Sequence, residues 1–236
     1  MPRAKFVTTS ARLLCGILLM PLAGALAYNF FKLIVELGRH ASLSAAPFWL
    51  GLGSYFVFQS LFFRPLRTYV FGHELTHALV GILSGARLKS FKVSASGGSV
   101  VLTRAGILIT LSPYFVPLYT VIIIAAYRLG SVFWPLGPYY SYVLFLCGFT
   151  LSFHFALTHY ALGQGQSDMR QFGVFFSSVF IALVNFIFLS ALLKLLFPGQ
   201  VLLKPFFLNS IRHMAFFWQI AAVKAVKLWY FFTQTR

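Results

Sequence analysis

Apolar runs close to twenty residues long recur along this chain, and no other feature limits its possible folds so severely. A helix needs ~20 predominantly apolar residues to cross the hydrocarbon core of a bilayer. Runs of that order cover residues 13–37, 45–63, 105–127, 139–162 and 172–197, with a shorter one at 69–83. Of the 236 residues 59% are hydrophobic and only 9% charged, whereas soluble domains carry roughly a quarter charged residues. The expected fold is an all-α polytopic membrane protein of about six transmembrane helices.

The charge is lopsided, with 19 Lys plus Arg against 3 acidic residues and a net charge of +16. Clustered basic charge marks nucleic-acid binding. Here the cations sit singly or in small groups at the ends of apolar runs, where they meet lipid phosphates and set topology. Membrane lipids are the partners expected from this pattern, and nucleic acid is not. The two cysteines, Cys15 and Cys147, both fall in apolar runs. They make neither a disulfide framework nor a C-x-x-C metal site, and are expected to be small buried side chains.

Breaks between the runs define the organisation. Arg3, Lys5 and Arg12 precede the first run, and Ala25-Leu26-Ala27 resembles a signal-peptide cleavage site. Apolar residues continue past that site, so a retained first span is expected. Arg64-Pro65-Leu66-Arg67 separates the second run from the third, because proline lacks the donor a helix interior needs and cations favour the interface. Residues 87–104 differ in kind: Phe91-Lys92-Val93 and Val100-Val101-Leu102 flank Ser94-Ala95-Ser96-Gly97-Gly98. Two strand-like pieces around a Gly-Gly turn predict a small membrane-associated β-hairpin. Pro113 and Pro117 predict a bend in the run at 105–127. Gly163-Gln164-Gly165-Gln166-Ser167 forms a break that leads into Asp168. The tail at 201–236 interleaves Phe207, Phe216, Trp218 and Trp229 with Lys204, Arg212, Lys224 and Lys227, a pattern of interfacial helices.

The chain's three acidic residues are Glu36, Glu74 and Asp168. Glu74 lies within an apolar run between His73 and His77, and ionisable groups in a membrane helix are costly enough to be functional candidates by default. On a helix, positions i and i+4 lie about 40° apart and ~6 Å along the axis, so both imidazoles address one point. Neutral imidazole is a good zinc ligand, and Glu74 projects beside such a metal, where it would hold a bound water. With the His and Glu content of this chain, chance places His-Glu-x-x-His in roughly one chain per thousand, though such matches need structural context.

Catalytic zinc takes three protein ligands and keeps a position open for water. Glu36, between Lys32 and Arg39-His40, reads as an interfacial ion-pairing residue, and His40 and His213 lie in polar or cationic flanks. His154 and His159 share a run but are five apart, so they form no same-face pair. Asp168-x-x-Gln171 fits a helix N-cap with a capping box, a role compatible with metal binding because a carboxylate has two oxygens. Asp168 is the favoured third ligand and His154 the next.

Phe71-Gly72-His73-Glu74-Leu75-Thr76-His77-Ala78-Leu79, the hairpin region ending Gly97-Gly98-Ser99-Val100, the Ser112-Pro113-Tyr114 helix and the late Asp168 together resemble the site-2 protease family. These are intramembrane zinc metalloproteases, and the resemblance covers roughly residues 66–197 in motif order. It implies Zn2+ held by His73, His77 and Asp168, with Glu74 catalytic as general base and acid. It also implies a cytosolic hairpin that receives a membrane-protein or transmembrane-peptide substrate as an added strand, with Phe91, Val93, Gly97, Gly98 and Val100 as substrate-binding positions. The family's aspartate is commonly followed by glycine, and here Met169 follows. No segment has the length of an appended PDZ or CBS domain, so the resemblance is to a compact form. One integral membrane domain over residues 1–236 is expected: N-terminal spans at 1–65, a metalloprotease core at 66–197 and an interfacial C-terminal helix at 198–236. The expected location is a bacterial cytoplasmic membrane, crossed several times.

Other functions draw on the same residues. A non-catalytic metal-binding membrane scaffold keeps the ligands without hydrolysis. A transporter-like protein uses buried ionisable groups as an ion path, and a di-iron hydroxylase needs more ligands than six scattered histidines supply.

Overall fold

Proline, glycine and charge punctuate the apolar runs, and the helices of the computed structural model begin and end at those marks. The structure describes residues 2–40, 43–94 and 97–234. In chain order these form α1 (Pro2–His40), α2 (Ala46–Leu61), α3 (Leu66–Leu83), β1 (Leu88–Ser94), β2 (Gly97–Leu102), α4 (Ile107–Leu111), α5 (Leu118–Phe133), α6 (Tyr140–Gly163), α7 (Ser167–Phe172), α8 (Val174–Leu196) and α9 (Leu203–Gln234). The fold is thus mostly helical with one two-stranded antiparallel hairpin.

Among the described residues three helical segments are long and apolar enough to cross a membrane: Thr9–Arg39, Gly137–Gly163 and Val174–Leu196. A fourth arises if Ile107–Tyr114 and Leu118–Phe133, bent by 87° at their junction, count as one span. Six were expected, and the difference lies in α2 and α3. The break at Arg64-Pro65 leaves α2 with 16 residues, ~24 Å at 1.5 Å per residue against a hydrocarbon core of ~30 Å. The 18 residues of α3 include Arg67, His73, Glu74 and His77, which dilute its apolar character.

The expected bend at Pro113 and Pro117 is present. A 3₁₀ turn over Ser112–Tyr114 follows α4, and the Ser112 carbonyl accepts from both Phe115 and Val116 N–H, at 3.1 and 2.9 Å. The hairpin is present as well, pairing Phe91 with Val100, Lys92 with Ser99 and Val93 with Gly98. Its turn is displaced from the expected one. Gly97 and Gly98 belong to β2, opposite Ser94 and Val93, and Ala95 and Ser96 lie outside the described residues.

The main core gathers Leu26 and Leu33 of α1, Phe48 of α2, Cys147 and Leu151 of α6 and Leu192 of α8. Small residues let α2 and α6 approach closely, as is common between membrane helices. A Cβ on Gly51 would press into the Phe145 backbone, one on Gly148 into the Phe48 backbone, and Ser152 Oγ donates to the Leu52 carbonyl at 2.9 Å. Cys147 is buried in this core as expected, but Cys15 is exposed on α1. Its neighbour Gly16 takes the contact with Phe175 of α8 instead.

Two smaller clusters hold the segments that carry His73, His77 and Asp168. Tyr55, Tyr69, Phe153 and Leu157 join α3 to α2 and α6. Leu111, Tyr114, Phe115, Met169 and Ile181 join α7 to the α4–α5 bend and to α8. The tail is one 32-residue helix, α9, whose start packs on α1 through Phe206 and Ser210 while Phe216, Phe217 and Trp229 are exposed.

Candidate metal centre

Helix α3 carries His73, Glu74 and His77, and the two imidazoles stack edge to face with centroids 4.9 Å apart. The short helix α7 brings Asp168 across from the other side of the fold. Glycines in left-handed backbone conformations bracket α7, Gly165 at φ +73° and Gly173 at φ +90°, and glycine reaches this region without steric penalty. This is the local reason for the Gly/Gln break. The capping box expected of Asp168 does not form: Gln166 is the N-cap, and Asp168 sits inside the first turn of α7. Its carboxylate instead faces the histidines, with Oδ2 at 3.6 Å from His73 Nε2 and 3.5 Å from His77 Nε2.

These distances test whether the donor set fits a metal. One ligand atom from each of His73, His77 and Asp168 lies within 4.8 Å of the others. Four ligands ~2.0–2.1 Å from a tetrahedral zinc are ~3.3–3.4 Å from one another, close to the spacing of Asp168 from each imidazole. A charge-assisted N–H···O bond is shorter, ~2.7–2.9 Å. The tautomer of His77 points the same way. Its Nδ1 lies 2.8 Å from the Ile109 carbonyl oxygen, which only accepts, so Nδ1 carries the proton. In the neutral ring Nε2 then presents a lone pair to the Asp168 carboxylate, and a shared cation relieves that opposition. An imidazole oriented by a carbonyl on its far nitrogen is a recurrent arrangement of metal-ligating histidine.

Asp168 is itself held in place. Tyr114 Oη donates to Oδ2 at 3.0 Å, and Asn185 Nδ2 donates to the Tyr114 carbonyl at 3.0 Å. Burial alone pushes the Asp168 carboxyl up, but where the imidazoles donate to it, they and the Tyr114 hydroxyl outweigh burial and hold the group below the usual carboxylate range. The Tyr114 hydroxyl favours the ionised form that a metal needs, whichever way the imidazoles are protonated.

A cavity of about 490 Å³ opens over these groups, lined by His73, Glu74, His77, Asp168, Arg104, Gln166, Gln171 and β2 from Gly98 to Leu102. Glu74 is buried beneath β2. A Cβ on Gly98 would stand 2.9 Å from both Cδ and Oε1 of Glu74, so only glycine lets the strand lie this close to the carboxylate.

The residues named from the sequence therefore divide. His73, His77 and Asp168 converge, and Glu74, Gly98 and Val100 line the same cavity. Gly97 borders an adjoining space of about 190 Å³ with Tyr69, Glu74 and Gln166. Phe91 packs edge to face on Phe71 of α3 at 5.9 Å, and Val93 sits on β1 opposite Gly98; neither lines the cavity. His154 is buried behind His73, outside the ligand cluster. His213 lies 3.1 Å from Asn29, and Lys32, expected to pair with Glu36, sits over the Tyr28 ring at 4.9 Å.

Sequence reasoning missed Tyr114 as the partner of Asp168 and the Ile109 carbonyl as the partner of His77. The one available signal was Ser112-Pro113-Tyr114, where proline interrupts helical bonding and frees backbone acceptors nearby. No protein-family model, curated protein or solved structure matches this chain.

Proposed function

We propose that this chain is a zinc metalloendopeptidase of the site-2 protease type, cutting peptide bonds of membrane-embedded substrates. The observation that carries the proposal is the convergence of two imidazoles and one carboxylate, with the carboxylate near tetrahedral-edge spacing from each ring and Glu74 in the same cavity beneath a strand edge. His73, His77 and Asp168 would be the three ligands, and the cavity leaves room for a water and a peptide group. A zinc held there would supply Lewis-acid chemistry, acidifying a water and polarising the scissile carbonyl.

The chain's own residues supply the rest. Glu74 accepts the proton that the water gives up on attack and returns it to the leaving amine nitrogen. The Ile109 carbonyl and the Tyr114 hydroxyl fix the donor atoms of His77 and Asp168, so little reorganisation accompanies the reaction. A helical substrate has its carbonyls occupied and must unwind before attack. β2 pairs with β1 on one side only and borders the cavity along Gly98–Leu102, so its other edge is available to an extended substrate by strand addition.

The membrane setting is part of the proposal: a multi-pass protein of a bacterial cytoplasmic membrane, with α2 and α3 as short inserted segments beside the longer crossings. Outward apolar faces support it, with Leu14, Phe31, Val132, Phe133 and Tyr142 all exposed, an arrangement soluble monomers avoid when the patches are contiguous.

Glu74→Gln tests the proposal against a non-catalytic scaffold. Purified variant and wild type are compared for zinc content and for cleavage of transmembrane-peptide substrates in liposomes. Cleavage should fall by roughly 10²- to 10⁴-fold with zinc unchanged. A variant that cleaves like wild type contradicts the role of Glu74. A zinc-loaded wild type that cleaves no membrane-embedded peptide favours the scaffold.

A further inference from the structure

His77 and His73 face the same requirement and meet it differently. For Nε2 to offer its lone pair to a metal, the ring proton must sit on Nδ1 and that N–H needs an acceptor. His77 uses the Ile109 carbonyl. His73 Nδ1 is buried and, among the described residues, has no hydrogen-bond partner. Buried polar nitrogens are nearly always paired with protein or ordered water.

Beside His73 lies a separate cavity of about 10 Å³ that Asp168 does not line, bordered by Tyr69, Thr76 and, from α6, His154. That is close to the space of one water. His154 is only 6% exposed, and its Nε2 likewise has no partner among the described residues. Two histidines, each with one unpartnered ring nitrogen, thus border one cavity of one-water size.

We infer that His154 is a positioning residue of the metal centre, holding His73 in its metal-ready tautomer through a single bridging water. The water accepts from His73 Nδ1–H and donates to His154 Nε2, which fixes the His154 proton on Nδ1. Its second hydrogen has an acceptor in Thr76, whose Oγ1 donates to the Gly72 carbonyl at 2.7 Å and keeps lone pairs free. Three partners lie within the usual two to four of a buried water. The inference rests on the reading of His73 as a zinc ligand. It removes His154 from competition for the third ligand position and gives it a different task.

The experiment is a zinc titration against a chromophoric chelator on the full-length detergent-purified chain, as wild type, His154→Phe and His154→Gln. Phenylalanine fills the space without an acceptor, whereas glutamine restores one. Zinc affinity should fall about 10- to 100-fold in His154→Phe and return to within about threefold of wild type in His154→Gln. Tight zinc binding in wild type with equal affinity in both variants overturns the inference and leaves the metal centre standing. Equal losses in both variants also overturn it, because they indicate packing rather than hydrogen bonding. A folded wild type that binds no zinc defeats the metal reading itself. Should His154→Phe fail to fold, an experimental map of zinc-loaded wild type decides. An ordered water between the two nitrogens supports the bridge, and two ordered rings with no density between them overturn it.

Discussion

Replacing Tyr114 with phenylalanine should weaken zinc binding about tenfold while leaving the fold intact. The Tyr114 hydroxyl donates to Asp168 Oδ2 at 3.0 Å, and the residue is only 1% exposed, so water does not readily take its place. A hydrogen bond to a charged group contributes ~1.5–3 kcal/mol, and ~1.4 kcal/mol corresponds to a factor of ten in affinity. The lower end applies here, because the same carboxylate oxygen faces two histidines and keeps part of its orientation without the tyrosine. Phenylalanine preserves the ring, including its contact with His73 at a centroid distance of 5.3 Å and its packing against Leu111, Phe115, Met169 and Ile181. Thermal unfolding of the metal-free variant in detergent should therefore match wild type closely. Zinc affinity is read by chelator competition at fixed pH. An affinity within about twofold of wild type would refute the idea that this hydroxyl holds the ligand carboxylate.

Other consequences follow from the same contacts. Gly98→Val places side-chain atoms against Glu74, where a Cβ alone would stand 2.9 Å from Oε1. A displacement of ~1 Å at a reacting group costs on the order of 10²-fold in rate, so cleavage should drop sharply while zinc stays bound. Proline at Ser99 or at Val100 removes one N–H from β2, and alternate residues of a strand present theirs to opposite edges. The variant that loses the outward N–H should keep zinc and fold yet cleave about tenfold less; unchanged cleavage in both would count against strand addition. Gly148→Leu forces a side chain into the Phe48 and Leu52 backbone, and should lower stability by ~1–3 kcal/mol or more, read as a drop in Tm in detergent.

Short-range chemistry was legible in the sequence, and long-range satisfaction was not. The i, i+4 spacing placed His73 and His77 on one face of α3, and Pro113 with Pro117 located the 87° bend. The hairpin followed from alternating apolar residues around glycines, but its turn was misplaced by two residues. Gly97 and Gly98 read as turn residues because of their conformational freedom, whereas Gly98 is glycine because β2 crosses Glu74 at close range. That contact joins residues 24 positions apart, beyond any local pattern. Asp168 showed the same limit. Its spacing to Gln171 suggested a cap, but the carboxylate faces two imidazoles and a tyrosine that only the folded chain assembles. Length and composition mark three or four of the six expected spans, because α2 is short and α3 carries Arg67, His73, Glu74 and His77.

The most direct test of the central claim is the zinc content of the purified chain, with wild type measured beside His77→Ala and Asp168→Ala. The account predicts about one zinc per wild-type chain and loss of that zinc in both variants. A well-folded wild type that holds no zinc even after zinc is supplied would contradict it.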